Sequence, residues 1–412
     1  MYTPLEVTKD IFYTGVNDRT KHLFENLWPL PHGVSYNSYL IADEKCALVD
    51  TVDLCYSDVF FQKINAVIGS KPIDYLIVNH MEPDHSGSIA WLLSRYPHIR
   101  IVGNKRTLEM LKGFYGVGAE NVLLIQDMDE LSLGSCTLQF YLTPMVHWPE
   151  TMMTYLPQRK TLFSGDAFGT FGALDGGVLD KQLLPERYRE EMIRYYANIV
   201  GKFGSPVQTA LKKLSGIEID VICSTHGPVW TQKAHIASVV ELYDRLSRYD
   251  ADPGLVIAYG SMYGHTEQLA EIIASAAAEQ GLKNIVMHNV SKSHESDILR
   301  DVFAYKGLLV GSPTYNNKLY PAVESLISGL QNRNLKNRFF GCFGSFTWSD
   351  ATAKQLSAFA EASEFEIVGE PVVMKQAMLQ DVAEKARSLG RSMACKLLSG
   401  DTLVPNNREN CH

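Results

Sequence analysis

None of the seven cysteines (Cys46, Cys55, Cys136, Cys223, Cys342, Cys395, Cys411) belongs to a Cys-x-x-Cys pair. That excludes a rubredoxin-like iron centre or a zinc ribbon within this chain, since both need paired cysteine knuckles. Scattered and odd in number, the cysteines are expected to be reduced thiols and not a disulfide framework. Long apolar runs are also missing, with no stretch approaching the ~18 apolar residues of a membrane span. Glu6, Lys9 and Asp10 stand where a secretory signal would have its apolar region, so the cytoplasm is the expected location. There is no basic run, and a net charge of −8 argues against a nucleic-acid groove, where lysine and arginine must neutralise phosphates. Repeats of short period and low-complexity segments are absent. What remains is an ordinary globular composition, 46% hydrophobic and 20% charged over 412 residues, long enough for two or three cores.

The chain reads as α/β throughout. Residues 6–13, 36–41 and 47–50 have strand character, and a strand over 73–80 leads into a helix over 86–96. Around Ser247-Arg248-Tyr249-Asp250-Ala251-Asp252-Pro253-Gly254 the pattern dissolves into polar and turn-forming residues. A domain boundary is placed there, giving domains 1–250 and 251–412. Beyond it, strands at 255–259, 284–290, 307–310, 338–344 and 367–374 alternate with helices at 266–280, after Pro321, at 351–362 and from about 379. Five strands with intervening helices in this length predict a doubly wound parallel sheet of the flavodoxin type.

The most informative stretch is His80-Met81-Glu82-Pro83-Asp84-His85, four potential metal ligands on one loop after an apolar strand. Its spacing resembles the His-x-His-x-Asp-His signature of the metallo-β-lactamase fold, with Glu82 where zinc hydrolases carry a second histidine. His147, Asp166 and His226 each follow another apolar run. A single histidine past a strand is ordinarily structural, but seven ligand-type residues in this order predict a two-metal site. Four imidazoles and three carboxylates form an oxygen-rich set that suits non-haem iron better than zinc. Two ferrous ions, three carboxylates and a bridging hydroxide would leave such a site neutral when reduced and buried.

The turn Gly260-Ser261-Met262-Tyr263-Gly264-His265-Thr266 joins a strand to a helix. Its small and hydroxylated residues can surround a phosphate at the positive end of that helix, and its Ser-x-x-Gly-x-Thr pattern resembles the flavodoxin phosphate loop. Gly311-Ser312-Pro313-Thr314-Tyr315-Asn316-Asn317 and Gly344-Ser345-Phe346-Thr347-Trp348 follow the next central strands, at the switch point where open α/β sheets bind ligands. Trp348 or Tyr315 could cover an isoalloxazine ring. Without a Gly-x-Gly-x-x-Gly fingerprint and a following acidic residue, a mononucleotide flavin is favoured over a dinucleotide.

Together these motifs resemble the A-type flavodiiron proteins over nearly the whole length. The resemblance implies a metallo-β-lactamase-like αββα sandwich followed by a flavodoxin-like five-stranded doubly wound parallel sheet. It implies that His80, Glu82 and His147 bind one iron and Asp84, His85 and His226 the other, with Asp166 and an oxo or hydroxo group bridging. FMN would be held by Ser261, Met262, Gly264, His265, Thr266, Pro313, Thr314, Tyr315, Asn316, Ser345, Phe346, Thr347 and Trp348. Phe346, Thr347 and Asp350 stand where the family more usually has Tyr, Gly and Gly. The implied reactions are reduction of dioxygen to water, of nitric oxide to nitrous oxide, or both. His32, Tyr195 and Tyr196 are the candidate catalytic proton donors. A head-to-tail homodimer or dimer of dimers would bring each flavin to the partner's metals. A separate rubredoxin-like protein or flavin reductase would supply electrons. Two other readings of the same ligands are a dinuclear zinc hydrolase of the metallo-β-lactamase superfamily and a non-catalytic diiron oxygen sensor.

Overall fold

The computed structural model describes residues 3–399; Cys411 and His412 lie outside them. The chain divides into two compact units between Ser247 and Arg248. In the first, a seven-stranded sheet runs in the spatial order Leu5–Thr8, Ile11–Tyr13, Tyr39–Ala42, Cys46–Val49, Tyr75–Ile77, Arg100–Gly103, Val122–Leu124. A second sheet of five strands runs Glu130–Ser132, Thr137–Leu142, Met152–Leu156, Thr161–Gly165, Val221–Ser224. Strand periodicity explains how they pack. Tyr39, Ile41, Ala47, Val49, Tyr75, Ile77 and Val102 of the first sheet share one core with Leu138, Phe140, Met152, Phe163 and Cys223 of the second. The alternate residues Leu40, Leu48, Leu76 and Ile101 are just as buried, outside that cluster. A sheet buried on both faces needs a helical cover, and helix Ser57–Ile68, which buries Phe60, Phe61 and Ile64, has the apolar face for it. This is the expected sandwich.

The second unit is a parallel sheet in the order Ile285–Asn289, Asp252–Tyr259, Tyr305–Pro313, Phe339–Phe346. Leu255, Ile257, Leu309 and Phe343 pack with Leu269, Ile273, Leu389 and Met393 of helices His265–Glu279 and Gln380–Ser399. The fully buried Arg338 donates to the carbonyls of Val302, Phe303, Tyr249, Lys336 and Asn337, and burial pulls its guanidinium down to about 9.

Several boundaries differ from expectation. Residues 6–13 form a hairpin and not one strand, because Asp10 takes a left-handed φ of 65° and its N–H donates to Glu6 Oε1. The strand expected over 36–41 breaks at Asn37, whose side-chain amide donates to the carbonyls of Ser224 and Gly227. The helix expected over 86–96 is a single turn, Pro83–Ser86, followed by Ile89–Arg95. The fifth position of the second unit's sheet is shared by Glu366–Ile367 and Val372–Lys375. Gly369, with φ 72°, and Pro371, which has no N–H to donate, separate them. Helix Glu295–Ala304 was not anticipated.

Candidate metal centre and phosphate-binding loops

Strand Tyr75–Ile77 ends in a loop that is pinned before it reaches its first candidate ligand. Asp50 accepts hydrogen bonds from the backbone N–H groups of Asn79, at 2.8 Å, and His80, at 3.3 Å. Thr154 Oγ1 donates to Asn79 Oδ1 at 2.7 Å. Burial pushes the Asp50 carboxyl up to about 6 in spite of His85 and these backbone donors. Pro83 then opens the one-turn helix, a position where its missing N–H costs nothing, and the turn buries Asp84 and His85. His147 comes from the loop between strands Thr137–Leu142 and Met152–Leu156, Asp166 from the end of Thr161–Gly165, and His226 from the end of Val221–Ser224. Gly227 after it has φ 76°, and a Cβ there would collide with the Thr170 hydroxyl, so only glycine lets the chain turn away.

The seven side chains converge in two buried groups, His80, Glu82, His147 and Asp166 in one and Asp84, His85 and His226 in the other. In the first, Glu82 Oε2 lies 3.2 Å from both His80 Nε2 and His147 Nε2. Asp166 Oδ2 is 3.1 Å from His147 Nε2 and 3.6 Å from His80 Nε2. In the second, His85 Nε2 and His226 Nε2 are 3.0 Å apart, each 3.3 Å from Asp84 Oδ2. The other oxygen of Asp166, Oδ1, is 3.1 Å from His85 Nε2. One carboxylate therefore faces both groups, an oxygen to each.

The electrostatics fit cations. Three buried carboxylates in one pocket need compensating positive charge, and the imidazoles supply it. Burial alone would lower His80, yet Asp166, Glu150 and Glu82 hold it well above its ordinary range. His85 and His147 are held up at about 9 against burial, His85 by Asp84 and Asp166 and His147 by Asp166 and Glu82. Burial opposes the ionised forms of Asp166 and Glu82, but the histidines keep both carboxyls below the usual range. Neither oxygen of Asp84 has a hydrogen-bond partner, and two imidazole nitrogens face each other at 3.0 Å. A cation bound between these atoms would satisfy both arrangements at once.

Four surrounding residues carried no signal that singled them out in the sequence. Glu150 accepts from His80 Nδ1 at 2.8 Å, and Thr225 Oγ1 donates to Asp166 Oδ1. Tyr36 is fully buried with its ring against His226 and no partner for its hydroxyl. Glu25, on the hairpin joining Leu23–Phe24 and Trp28–Pro29, has its carboxyl pushed up to about 7 by burial and by Glu82. Of the expected proton donors, Tyr195 packs on His226 with ring centroids 5.4 Å apart, and its buried hydroxyl has no hydrogen-bond partner. A π-turn, Tyr196–Val200, follows it. Tyr196 packs instead on Tyr243. His32 is exposed on a turn outside both ligand groups.

In the second unit, Gly264 (φ 89°) caps the fifteen-residue helix His265–Glu279, and its N–H donates to Ser261 Oγ at 3.1 Å. The buried Thr266 hydroxyl meets Ser345 Oγ at 2.9 Å, joining the first and third loops. Pro313 ends its strand, Thr314 N donates to the Ser345 carbonyl, and Asn316 and Asn317 form a left-handed turn between Tyr315 and Lys318. Phe346 ends the next strand, with Thr347 exposed after it. Large apolar side chains stand open around these strand ends: Trp348 is 85% exposed and Tyr263 86%, with Met262 and Tyr315 less so. Exposed aromatic planes beside a hydroxyl-lined helix start suit a phosphate-bearing aromatic ligand.

Residues 34–227 match the family model described as ODP family beta lactamase, and residues 257–403 match Flavodoxin. The chain is 33% identical over 366 residues to the anaerobic nitric oxide reductase flavorubredoxin of Escherichia coli, covering 88% of this chain and 76% of that one. It is 29% identical over 401 residues to the nitric oxide reductase of Moorella thermoacetica, covering 96% and 100%. Among solved structures, rubredoxin oxygen:oxidoreductase from Desulfovibrio gigas superposes with a TM-score of 0.92 at 27% identity, covering 96% and 99% of the two chains. The flavodiiron protein from Giardia intestinalis gives 0.90 at 26%, covering 97% and 98%.

Proposed function

The chain belongs to the flavodiiron proteins, and from that premise we propose that it is an oxidoreductase reducing dioxygen to water, nitric oxide to nitrous oxide, or both. The observation that carries this reading is the Asp166 carboxylate, with one oxygen toward each ligand group, as two neighbouring cations sharing a bridge require. His80, Glu82 and His147 would hold one iron, Asp84, His85 and His226 the other. The three loops of the second unit, at 261–266, 313–316 and 345–348, would hold FMN. When bound, the iron pair would exchange electrons with the diatomic substrate, and FMN would relay them from the donor.

The protein's own residues set the conditions. Carboxylates at Glu82, Asp84 and Asp166 make the site harder than an imidazole-rich zinc site. Phe24 and Tyr195 pack on His226, each with ring centroids 5.4 Å apart, and Phe171 packs behind both, which shields that side from bulk water. Such a wall favours small apolar molecules. Reduction also consumes protons, four per dioxygen and two per pair of nitric oxide molecules. The unpartnered buried hydroxyl of Tyr195 beside His226 supports it as a donor ahead of Tyr196 and His32. A separate rubredoxin-like protein or flavin reductase would supply electrons, and a head-to-tail homodimer or dimer of dimers would bring flavin and metals together. No helix among the described residues is long and apolar enough to cross a membrane; the proposed location is the cytoplasm.

Anaerobic metal and flavin analysis with gas-consumption measurements on chemically reduced protein tests this. Two iron ions and one FMN per chain, with sustained consumption of either gas, are expected. Two zinc ions with thioester or lactone hydrolysis would establish a hydrolase instead, and gas binding without consumption a sensor.

A further inference from the structure

Three of the four histidines at the metal centre differ sharply in what their second ring nitrogen meets. His80 Nδ1 lies 2.8 Å from Glu150 Oε1, both side chains 1% exposed. His226 Nδ1 lies 2.7 Å from the backbone carbonyl oxygen of Ser35. His85 Nδ1 is buried without a hydrogen-bond partner. A charged acceptor, a neutral acceptor and none thus stand behind three ligands of one kind.

Glu150 is a built support. The same oxygen, Oε1, also accepts the Met81 backbone N–H at 2.9 Å, so one carboxylate holds both the ring and the peptide that follows it. Behind Glu150, the Asn104 side-chain amide donates to its carbonyl at 2.6 Å. The side-chain oxygen of Asn104 caps helix Lys105–Tyr115 by accepting from Arg106 N and Thr107 N. Support therefore runs from a helix terminus through Asn104 and Glu150 to His80. With a carboxylate as acceptor, Nδ1 carries the proton and Nε2 keeps its lone pair for a metal. The carboxylate also polarises the ring and makes that lone pair more basic than a carbonyl acceptor would.

We propose that Glu150 makes the two metal positions unequal: the position of His80, Glu82 and His147 binds its ion first and more tightly than that of Asp84, His85 and His226. No carboxylate bonds to His85 Nδ1 or His226 Nδ1; Asp50 interacts through its charge with both His85 and His80, so Glu150 is the carboxylate bonded to a ring nitrogen of one of these three histidines. Glu150 is a positioning residue acting through His80, and the proposal rests on the two-metal reading above.

The test uses the full chain, stripped anaerobically of metal and reloaded with Co(II), whose absorption bands report each site as it fills. The wild-type protein is expected to take up two ions in separate steps, the first about 10–100-fold tighter. Glu150→Gln, which can still accept from Met81 N, should weaken the first step by about the same factor, leave the second unchanged and merge the two. A merely structural Glu150 would lower the melting temperature of the metal-free chain without altering the ratio of the steps. Equal steps in the wild type, or an unchanged ratio in Glu150→Gln, would overturn the proposal. If the variant does not fold, nitrogen NMR of histidine-labelled, zinc-loaded wild type decides. A His80 Nδ1 proton shifted further downfield than that of His226 supports the proposal, since only a charged acceptor polarises the ring that strongly, and equal shifts of the two refute it. A wild-type chain that binds fewer than two ions would instead remove the two-metal reading itself.

Discussion

Replacing Asp166 by asparagine tests the shared carboxylate at its centre. The variant is nearly isosteric, so the change is one unit of charge in a pocket where Asp166 is 2% exposed. Its oxygens lie 3.1 Å from His147 Nε2 on one side and 3.1 Å from His85 Nε2 on the other, so ions bound in the two groups would both feel the loss. At an effective dielectric of about 20, a unit charge pair near 4 Å is worth about 4 kcal/mol. The remaining amide dipole and local relaxation reduce this to about 3 kcal/mol per ion, or roughly 100-fold in affinity. The assay is stepwise anaerobic Fe(II) loading of the apoprotein, with metal content measured after gel filtration. Asp166→Asn is expected to retain at most one ion per chain under conditions where the wild type retains two. A variant holding two ions at wild-type affinity would refute the argument that this carboxylate is shared.

The metal-free protein should have a distinctive pH dependence. His85 and His147, raised to about 9 from an ordinary 6.5, contribute stability that is complete below about pH 6.5 and lost as the pH rises through 9. Glu82 and Asp166, held low, contribute stability present above about pH 4.5 and lost on acidification. Melting temperature should therefore peak near pH 5–6.5 and fall on both sides, with metal loading removing the alkaline fall; a flat apo profile from pH 6 to 9 would contradict the ion-pair network. Arg338→Leu leaves five carbonyls without their buried donor and should destabilise the second unit by about 4 kcal/mol in calorimetry. A loss below about 1 kcal/mol would show that those bonds are replaceable. Thr266→Val removes the hydroxyl that meets Ser345 and should weaken FMN binding by about tenfold in fluorescence titration. Unchanged affinity would remove that hydroxyl from the proposed phosphate loop.

Parts of this architecture could be read directly because they rest on local chemistry. His80 to His85, His147, Asp166 and His226 stand out as ligand-type residues past apolar strands, and the helix His265–Glu279 begins within a residue of its expected start. Other parts depend on partners distant in the chain. The strand break at Asn37 exists because its amide reaches Ser224 and Gly227, nearly 190 positions away. Glu150 follows His147 by three positions in a polar loop, where an unremarkable glutamate is the ordinary reading. Only its 2.8 Å approach to His80, 70 residues earlier, gives it a role. Tyr36 and Glu25 were invisible for the same reason, while His32 was of a suitable residue type and lies exposed.

By itself, then, the sequence determined the two sheet-based domains, the inventory of candidate ligands and the glutamate, Glu82, at a histidine position that makes the set oxygen-rich. Those follow from periodicity and side-chain chemistry, which act over a few residues. Tertiary structure decided that the seven candidate ligands gather into the two groups the resemblance implied, that Asp166 faces both, and that the second ring nitrogens of His80, His226 and His85 meet Glu150, Ser35 and no hydrogen-bond acceptor. Distances of about 3 Å between residues tens to well over a hundred positions apart are set by how two sheets pack, and no local pattern encodes them.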